Sequence, residues 1–327
     1  MKTLCAIGEA LIDFIPEEKG KRLKDVVTFK RVVGGAPANV AASVAKLGGK
    51  ARFLTQLGQD AFGDHILDIL NTCSIDTQHI LRTNSADTSL AFVSLAHDGN
   101  RDFMFYRRNC ADLQFRVEDL KDNVLDDCAM LHFCSVSLVE SPMKYTHKQL
   151  IEQAIERGLL ISFDPNVRLS LWDDEKKCQH TIREFLPYAD IIKISDEELS
   201  FISGYDDIKD AQEFFFKGRC QMLIYTKGKD GVELFMRDHK HLSVDGYSVN
   251  AMDTTGAGDS FIGSFIFKLL EQGCMDLQTI SEEKLISYLT FANAYAAHTT
   301  TKQGAIDAMA TMEEVLAFQS QLENTKK

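Results

Sequence analysis

The chain has 327 residues, 45% hydrophobic and 26% charged, and its 36 Lys and Arg against 48 Asp and Glu leave a formal charge of −12. This size and balance predict one large folded domain, or a domain with an appendage, with ample apolar side chains for a core. The acidic excess disfavours nucleic acid as a partner, because non-specific binding needs Lys and Arg to neutralise phosphates. No run of about 18 apolar residues reads as a membrane span.

From the N-terminus, residues 4–8 form a short apolar run that reads as a strand, and residues 25–33 are β-leaning with no helix in between. Residues 39–47 carry apolar side chains three and four apart and stop at Gly48, as helix C-termini favour. Another apolar run, 51–58, is followed by helical spacing at 61–70. Residues 88–95 and 102–106 flank His97-Asp98-Gly99-Asn100, whose Asp-Gly pair reads as a hairpin turn. Apolar runs then recur at 130–133, 159–163, 191–194 and 222–226, with helical spacing at 142–157 before Gly158 and at 206–217 before Gly218. Residues 232–236 and 241–244 predict a hairpin, and helices follow at 260–270, 281–301 and 312–322. Thr311-Met312-Glu313-Glu314 is a capping box for the last helix, and residues 324–327 read as a frayed tail.

Runs apolar on both sides, alternating with helices, predict a doubly wound and mostly parallel α/β sheet flanked by helices. The β-leaning stretches outside that rhythm predict a small second sheet, placed as a lid over the C-terminal edge of the first. Eight cysteines show no C-x-x-C spacing, and Glu9 and Asp13 interrupt the apolar start, so reduced buried thiols in a cytoplasmic protein are expected. Among the nine histidines none falls in a metal-ligand cluster. His132 reads as a core residue, and His239 and His241 as a solvated pair in a hairpin turn.

Two segments carry chemistry. Asp253-Thr254-Thr255-Gly256-Ala257-Gly258-Asp259-Ser260-Phe261 places three small residues and an Asp at the start of an apolar helix. Glycines let successive N–H groups converge, and the helix adds about half a positive charge at its N-terminus, which together suit phosphate oxygens. Asp259 beside that hole is placed to accept a proton from a hydroxyl attacking the phosphate. A tight turn capping a helix is the plainer reading of a lone G-A-G-D. Phe261 stands where the dinucleotide fingerprint needs Gly, and none of the Gly-Lys pairs has the earlier Gly of a P-loop. The second segment, Gly34-Gly35-Ala36-Pro37-Ala38-Asn39-Val40-Ala41, is a rigid loop opening a helix. Asn39 there offers both donor and acceptor to a polyol.

In this order and separation, the two segments resemble the paired signatures of the ribokinase-like (PfkB) carbohydrate kinases. The likeness runs from Gly8-Glu9-Ala10-Leu11-Ile12-Asp13 to residues 299–306 and is greatest to the fructokinases. The resemblance implies a single ribokinase-like α/β kinase domain over 1–327, with the lid built from segments about 14–33 and 88–108. It implies that Asp13, at the C-terminal end of the first strand, accepts from sugar hydroxyls, with Gly34, Gly35 and Asn39 forming the sugar loop. Arg107, in Phe105-Tyr106-Arg107, would reach the sugar from the lid, although Asn109 stands where the family usually has Pro. Thr226, Gly228 and Gly231 match the ATP loop, and Asn293 borders the adenine.

The same resemblance makes Asp259 the general base and gives the hole to the N–H groups of Gly256, Ala257 and Gly258. Arg168, in Asp164-Pro165-Asn166-Val167-Arg168, would stabilise the transferred phosphoryl group. The family's N-x-x-E appears as Ser195-Asp196-Glu197-Glu198, retaining Glu198 near magnesium through water while Ser replaces Asn. Asp253 and the Thr255 carbonyl match a monovalent cation site, potassium in character. ATP and Mg2+ are thus the implied cofactors, a small sugar the partner, and pairing of lids between two copies is compatible with the pattern. Fructose converted to fructose 6-phosphate is the implied reaction. A 2-keto-3-deoxygluconate kinase or another PfkB sugar kinase is the alternative, and a non-catalytic sugar sensor, which Asp259 and its hole argue against, the alternative of another class.

Overall fold

In the computed structural model, which describes residues 1–18, 20–95, 101–273 and 276–325, the apolar runs become strands of one large sheet. In chain order the strands are β1 (Thr3–Ile7), β2 (Leu11–Pro16), β3 (Phe29–Gly34), β4 (Lys50–Leu54), β5 (Gln56–Gly58), β6 (Leu81–Thr83) and β7 (Leu90–Leu95). They continue with β8 (Arg101–Tyr106), β9 (Cys128–Cys134), β10 (Leu160–Asp164), β11 (Ile191–Ser195), β12 (Met222–Thr226), β13 (Val232–Met236) and β14 (His241–Val244). The helices are α1 (Ala36–Lys46), α2 (Ala61–Thr72), α3 (Pro142–Glu156), α4 (Glu175–Phe185), α5 (Asp196–Ser203), α6 (Ile208–Phe215), α7 (Ala257–Glu271), α8 (Glu282–Thr300) and α9 (Met312–Thr325).

The large sheet has the order β14-β13-β12-β11-β10-β9-β1-β4. Its six strands from β12 to β4 are parallel, and the β13–β14 hairpin closes one edge antiparallel. Period two decides what each face packs against. Leu4 and Ala6 of β1 join Val40, Phe265 and Leu289 from α1, α7 and α8, whereas Cys5 and Ile7 join Phe133, Leu150 and Phe163 on the opposite face. Both layers are almost fully buried, and each large apolar side chain contributes about 1.5–3 kcal/mol relative to exposure. The sheet is doubly wound as the alternation of runs and helices requires.

A second, four-stranded sheet has the order β3-β2-β7-β8. Asp13 in β2 pairs in register with Val32 of β3 and Ala91 of β7. Phe14, Phe29, Phe92 and Tyr106 form a chain of ring contacts in this sheet. The expected turn at His97-Asp98-Gly99-Asn100 lies outside the described residues, as do Cys274 and residues 326–327.

Three differences from the sequence reading have local causes. The 51–58 run splits after Leu54, and β5 leaves the large sheet to pair with β6. Asp13 lies inside β2 of the small sheet rather than at the end of β1, because the chain turns at Gly8, Glu9 and Ala10. Two helices, α4 and α5, lie outside the elements that the sequence predicts. In α4 the apolar positions Cys178, Ile182 and Phe185 stand among charged residues, and α5 spans only eight residues. The remaining cysteines among the described residues are free thiols, all buried except the half-buried Cys73. No helix among the described residues is long and apolar enough to cross a membrane.

Candidate active site

Strand ends and one helix start converge at a single place. β9, β10 and β11 finish side by side, and the loops after them face the N-terminus of α7. Gly256 takes a left-handed backbone (φ 73°) as the residue before α7, a conformation that costs an L side chain about 1–2 kcal/mol. The Ala257 N–H closes a turn on the Thr254 carbonyl at 3.2 Å. Of the three expected hole donors, Ala257 is therefore engaged within its own turn, and Gly256 and Gly258 stand beside it.

Asp259 lies buried in the first turn of α7. Its carboxylate accepts Asn39 Nδ2 at 2.8 Å on Oδ2 and Asn166 Nδ2 at 3.1 Å on Oδ1. Burial raises its pKa above the ordinary Asp value, while the Asn39 hydrogen bond and the charges of Lys193 and Arg168 oppose that rise. Asn39 comes from the first turn of α1, so its expected place at the sugar loop also makes it a partner of Asp259. Asn39 Oδ1 is buried without a hydrogen-bond partner among the described residues.

The loop before α1 is set by close backbone approach. Gly35 has φ 114°, and a Cβ there would meet the Glu9 carbonyl at 2.3 Å. A Cβ on Gly34 would fall 2.2 Å from Asp13 Oδ2, so the carboxylate of Asp13 occupies the space that a larger residue at 34 would take. Glu9 is buried beneath the loop and accepts the Ala36 N–H at 2.9 Å and Ser137 Oγ at 2.6 Å. Burial raises its pKa, against the pull of Arg107 and Ser137.

Two clefts meet here. One, of about 370 Å3, is lined by Asp13, Gly35, Asn39, Phe105, Arg168 and Asp259 among others. The second, of about 450 Å3, is lined by Thr226, Gly228, Gly231, Tyr247, Asn293 and Ala297 among others. They share Lys193, Ser195, Glu197, Thr254, Ala257 and Gly258. A more open recess of about 1160 Å3 lies at the other end of the sheet around Lys2, Arg52 and Asp76, away from α7's first turn.

The remaining expected residues are placed as follows. Thr226 Oγ1 donates to the Ile194 carbonyl, and Asn293 Nδ2 donates to the Asp245 carbonyl at 3.1 Å, pinning the chain that leaves β14. Glu198 is buried and accepts the Val167 N–H at 2.7 Å and the Ser195 N–H at 2.9 Å, tying the exit of β10 to the start of α5. Asp253 accepts the N–H groups of Thr255 at 2.7 Å and Gly304 at 3.1 Å. Arg168 is exposed at the cleft edge, with Nη1 on the Val167 carbonyl.

Arg107 differs most from expectation. It is buried outside the lining of either cleft, bound to Asp112, the Val136 carbonyl and Ser137 Oγ. Through Ser137 it braces Glu9, and so the loop at Gly35, from behind. The residues not anticipated are Glu9, Asn166 and Lys193. Lys193 carried one signal, a lone cation inside an otherwise apolar strand. Asn166 carried none beyond its place after Asp164-Pro165, and Glu9 only its place beside Gly8.

The arrangement offers a buried carboxylate within reach of one cleft, and a helix N-terminus where that cleft opens into another. Known proteins of one family resemble the chain over nearly its whole length. The profile of the pfkB family of carbohydrate kinases matches residues 1–312. A probable fructokinase-2 from Arabidopsis thaliana is 41% identical over 315 residues, covering 96% of this chain and 94% of that protein. The crystal structure of fructokinase with bound ATP from Xylella fastidiosa superposes with a TM-score of 0.89 at 35% identity, covering 98% of each chain. A fructokinase double mutant from Vibrio cholerae O395, in its fructose, ADP and potassium ion bound form, superposes with a TM-score of 0.86 at 28% identity. The match covers 97% of this chain and 98% of that one. The helix-flanked large sheet with its separate four-stranded sheet is the ribokinase-like α/β fold.

Proposed function

The chain belongs to the pfkB family of carbohydrate kinases, and from that membership we propose that it phosphorylates D-fructose with ATP, releasing fructose 6-phosphate and ADP. The observation that carries this reading is Asp259, buried between two amide donors in the lining of the first cleft, next in sequence to Gly258, which lines both. The sugar occupies the cleft of Asp13, Gly34, Gly35 and Asn39. ATP occupies the cleft of Thr226, Gly228, Gly231 and Asn293, with its terminal phosphate toward the shared residues. Asp259 takes the proton as the sugar hydroxyl attacks, and the N–H groups at the start of α7 receive the phosphate charge. Arg168, at the rim, adds positive charge. The small sheet of β2, β3, β7 and β8 acts as a lid whose Phe105 lines the sugar cleft and whose closure excludes water.

Among the described residues, no group of three or more His, Cys, Asp or Glu side chains is suited to hold a metal. Magnesium binds through one or two carboxylates together with phosphates and water. Glu198 at the cleft edge is the residue that would hold it, through water, because both of its oxygens already accept backbone N–H groups. When bound, the ion neutralises phosphate charge. Asp253 and the Thr255 carbonyl would hold potassium behind the first turn of α7.

ADP release is the deciding measurement, taken with fructose, 2-keto-3-deoxygluconate, ribose, tagatose and adenosine in turn. Fructose gives the highest kcat/KM. Activity on another of these with fructose silent overturns the substrate while keeping the kinase, and release with none of them overturns both.

A further inference from the structure

Lys193 is the buried cation of the site, and the residues expected to act there do not include it. It sits in β11 between Ile192 and Ile194, only 6% exposed. Its Nζ lies 2.9 Å from Asp164 Oδ2, and a Cβ on Gly258 would fall 3.0 Å from the same nitrogen. The ammonium is thus held against the first turn of α7, and Lys193 lines both clefts. Such a location is costly for a structural ion pair. Removing an ammonium from water costs several kcal/mol, and a helix N-terminus adds partial positive charge beside it. The placement becomes favourable when a polyanion enters between them.

We propose that Lys193 is a further catalytic residue, whose ammonium contacts the phosphoryl group as it passes from ATP to the sugar. The inference rests on the kinase reading above. In that step the sugar oxygen bonds to the γ-phosphorus as the bond to the β,γ-bridging oxygen breaks. The hydroxyl proton passes to Asp259, and ADP leaves with the electron pair. Lys193 exchanges no proton; it offsets charge on the transferring oxygens, for which a compact ammonium serves. Burial works against its charge, but the carboxylates of Asp164, Glu198 and Asp259 outweigh burial and hold the lysine protonated. Arg168, the cation expected from sequence for this task, lies exposed at the rim, whereas Lys193 is at the junction.

The test compares Lys193→Met, Lys193→Arg and the double variant Lys193→Met/Asp164→Asn with the wild-type protein. Wild-type ADP release with a sugar establishes the kinase reading first, and its absence would remove that reading rather than test the lysine. Given activity, Lys193→Met lowers kcat by about 100- to 1,000-fold. The sugar KM and the calorimetric affinity for ADP stay within about threefold, as expected of an interaction made only in the transition state. The same variant loses the extra affinity for ADP plus aluminium fluoride in the presence of sugar, a mimic of the group in transfer, and Lys193→Arg restores part of it. The double variant removes the carboxylate paired with the ammonium together with it, so it reports the same kcat loss in a folded protein if the single variant unfolds. Wild-type kcat in either Met variant overturns the proposal. So does a loss of ADP and sugar affinity that matches the kcat loss while the aluminium fluoride complex persists.

Discussion

The proposed base, Asp259, feels two opposed influences on its basicity, burial and its neighbours. Burial raises its pKa, and the amide of Asn39 with the charges of Lys193 and Arg168 limits the rise. The sign follows for activity. The proposed base works only when ionised, so kcat/KM is expected to fall as pH drops through the raised pKa, with an acid limb above the ordinary Asp range. Asp259→Asn is expected to lower kcat by about 100- to 10,000-fold with sugar and ATP affinity nearly unchanged, read from initial rates and calorimetry. A variant that keeps wild-type turnover would remove Asp259 as the base. Asp259 and its glycines were legible because they lie in one short segment. Asn166 and Lys193 were not, since their partners lie 93 residues away in Asp259 and 29 away in Asp164.

At the scale of elements, the site depends on how the loop before α1 packs on the turn after β1. Gly35 touches the Glu9 backbone, and Glu9 in turn holds the Ala36 N–H. Gly35→Ala places a Cβ 2.3 Å from that carbonyl at a positive φ, with no flexible side chain to yield. The expected cost is about 1–3 kcal/mol, measured by denaturant unfolding, together with a raised sugar KM. An unchanged midpoint and KM would show that the loop relaxes freely. The regular elements of the large sheet could be read from runs of apolar residues because burial on both faces leaves that mark. The short helix α5 could not, since the Glu198 contacts that anchor its start reach to Val167, in another loop. Arg107 shows the same limit: its motif suggested the sugar, and its packing directs it to Asp112 and Ser137.

Across the whole molecule, the charge of −12 coexists with a site suited to polyanions because net charge and local field are separate quantities. The N-terminus of α7, Lys193 and Arg168 supply local positive charge there, set among the carboxylates of Asp13, Glu198 and Asp259. Buried titratable groups also shape stability against pH. His132 is buried in β9, beside Ser162 Oγ at 3.0 Å, and burial lowers its pKa to about 3 from 6.5. The unfolded chain therefore binds the proton more readily, so stability is full above pH 6.5 and declines as pH falls toward 3. Between pH 6.5 and 5 the loss from this group is about 2 kcal/mol. Glu9 and Asp259, whose pKa values are raised, act in the opposite sense and favour the fold as pH falls. The His132 share is isolated by comparison: His132→Asn should flatten the fall in melting temperature between pH 7 and pH 5. An equal fall in both proteins would assign acid sensitivity elsewhere.

Sequence alone determined the α/β class, the order of most elements, the family likeness and the helix start that carries Asp259. Each of these is written in local spacing: buried strands need apolar runs, helices need their period, and an anion hole needs small residues before a helix. Tertiary structure alone decided that Asn39 and Asn166 both grip Asp259, that Arg107 braces the loop from behind, and that Lys193 stands where two clefts meet. Those contacts join residues distant along the chain. Their energy depends on burial and distance, which no spacing in one segment records.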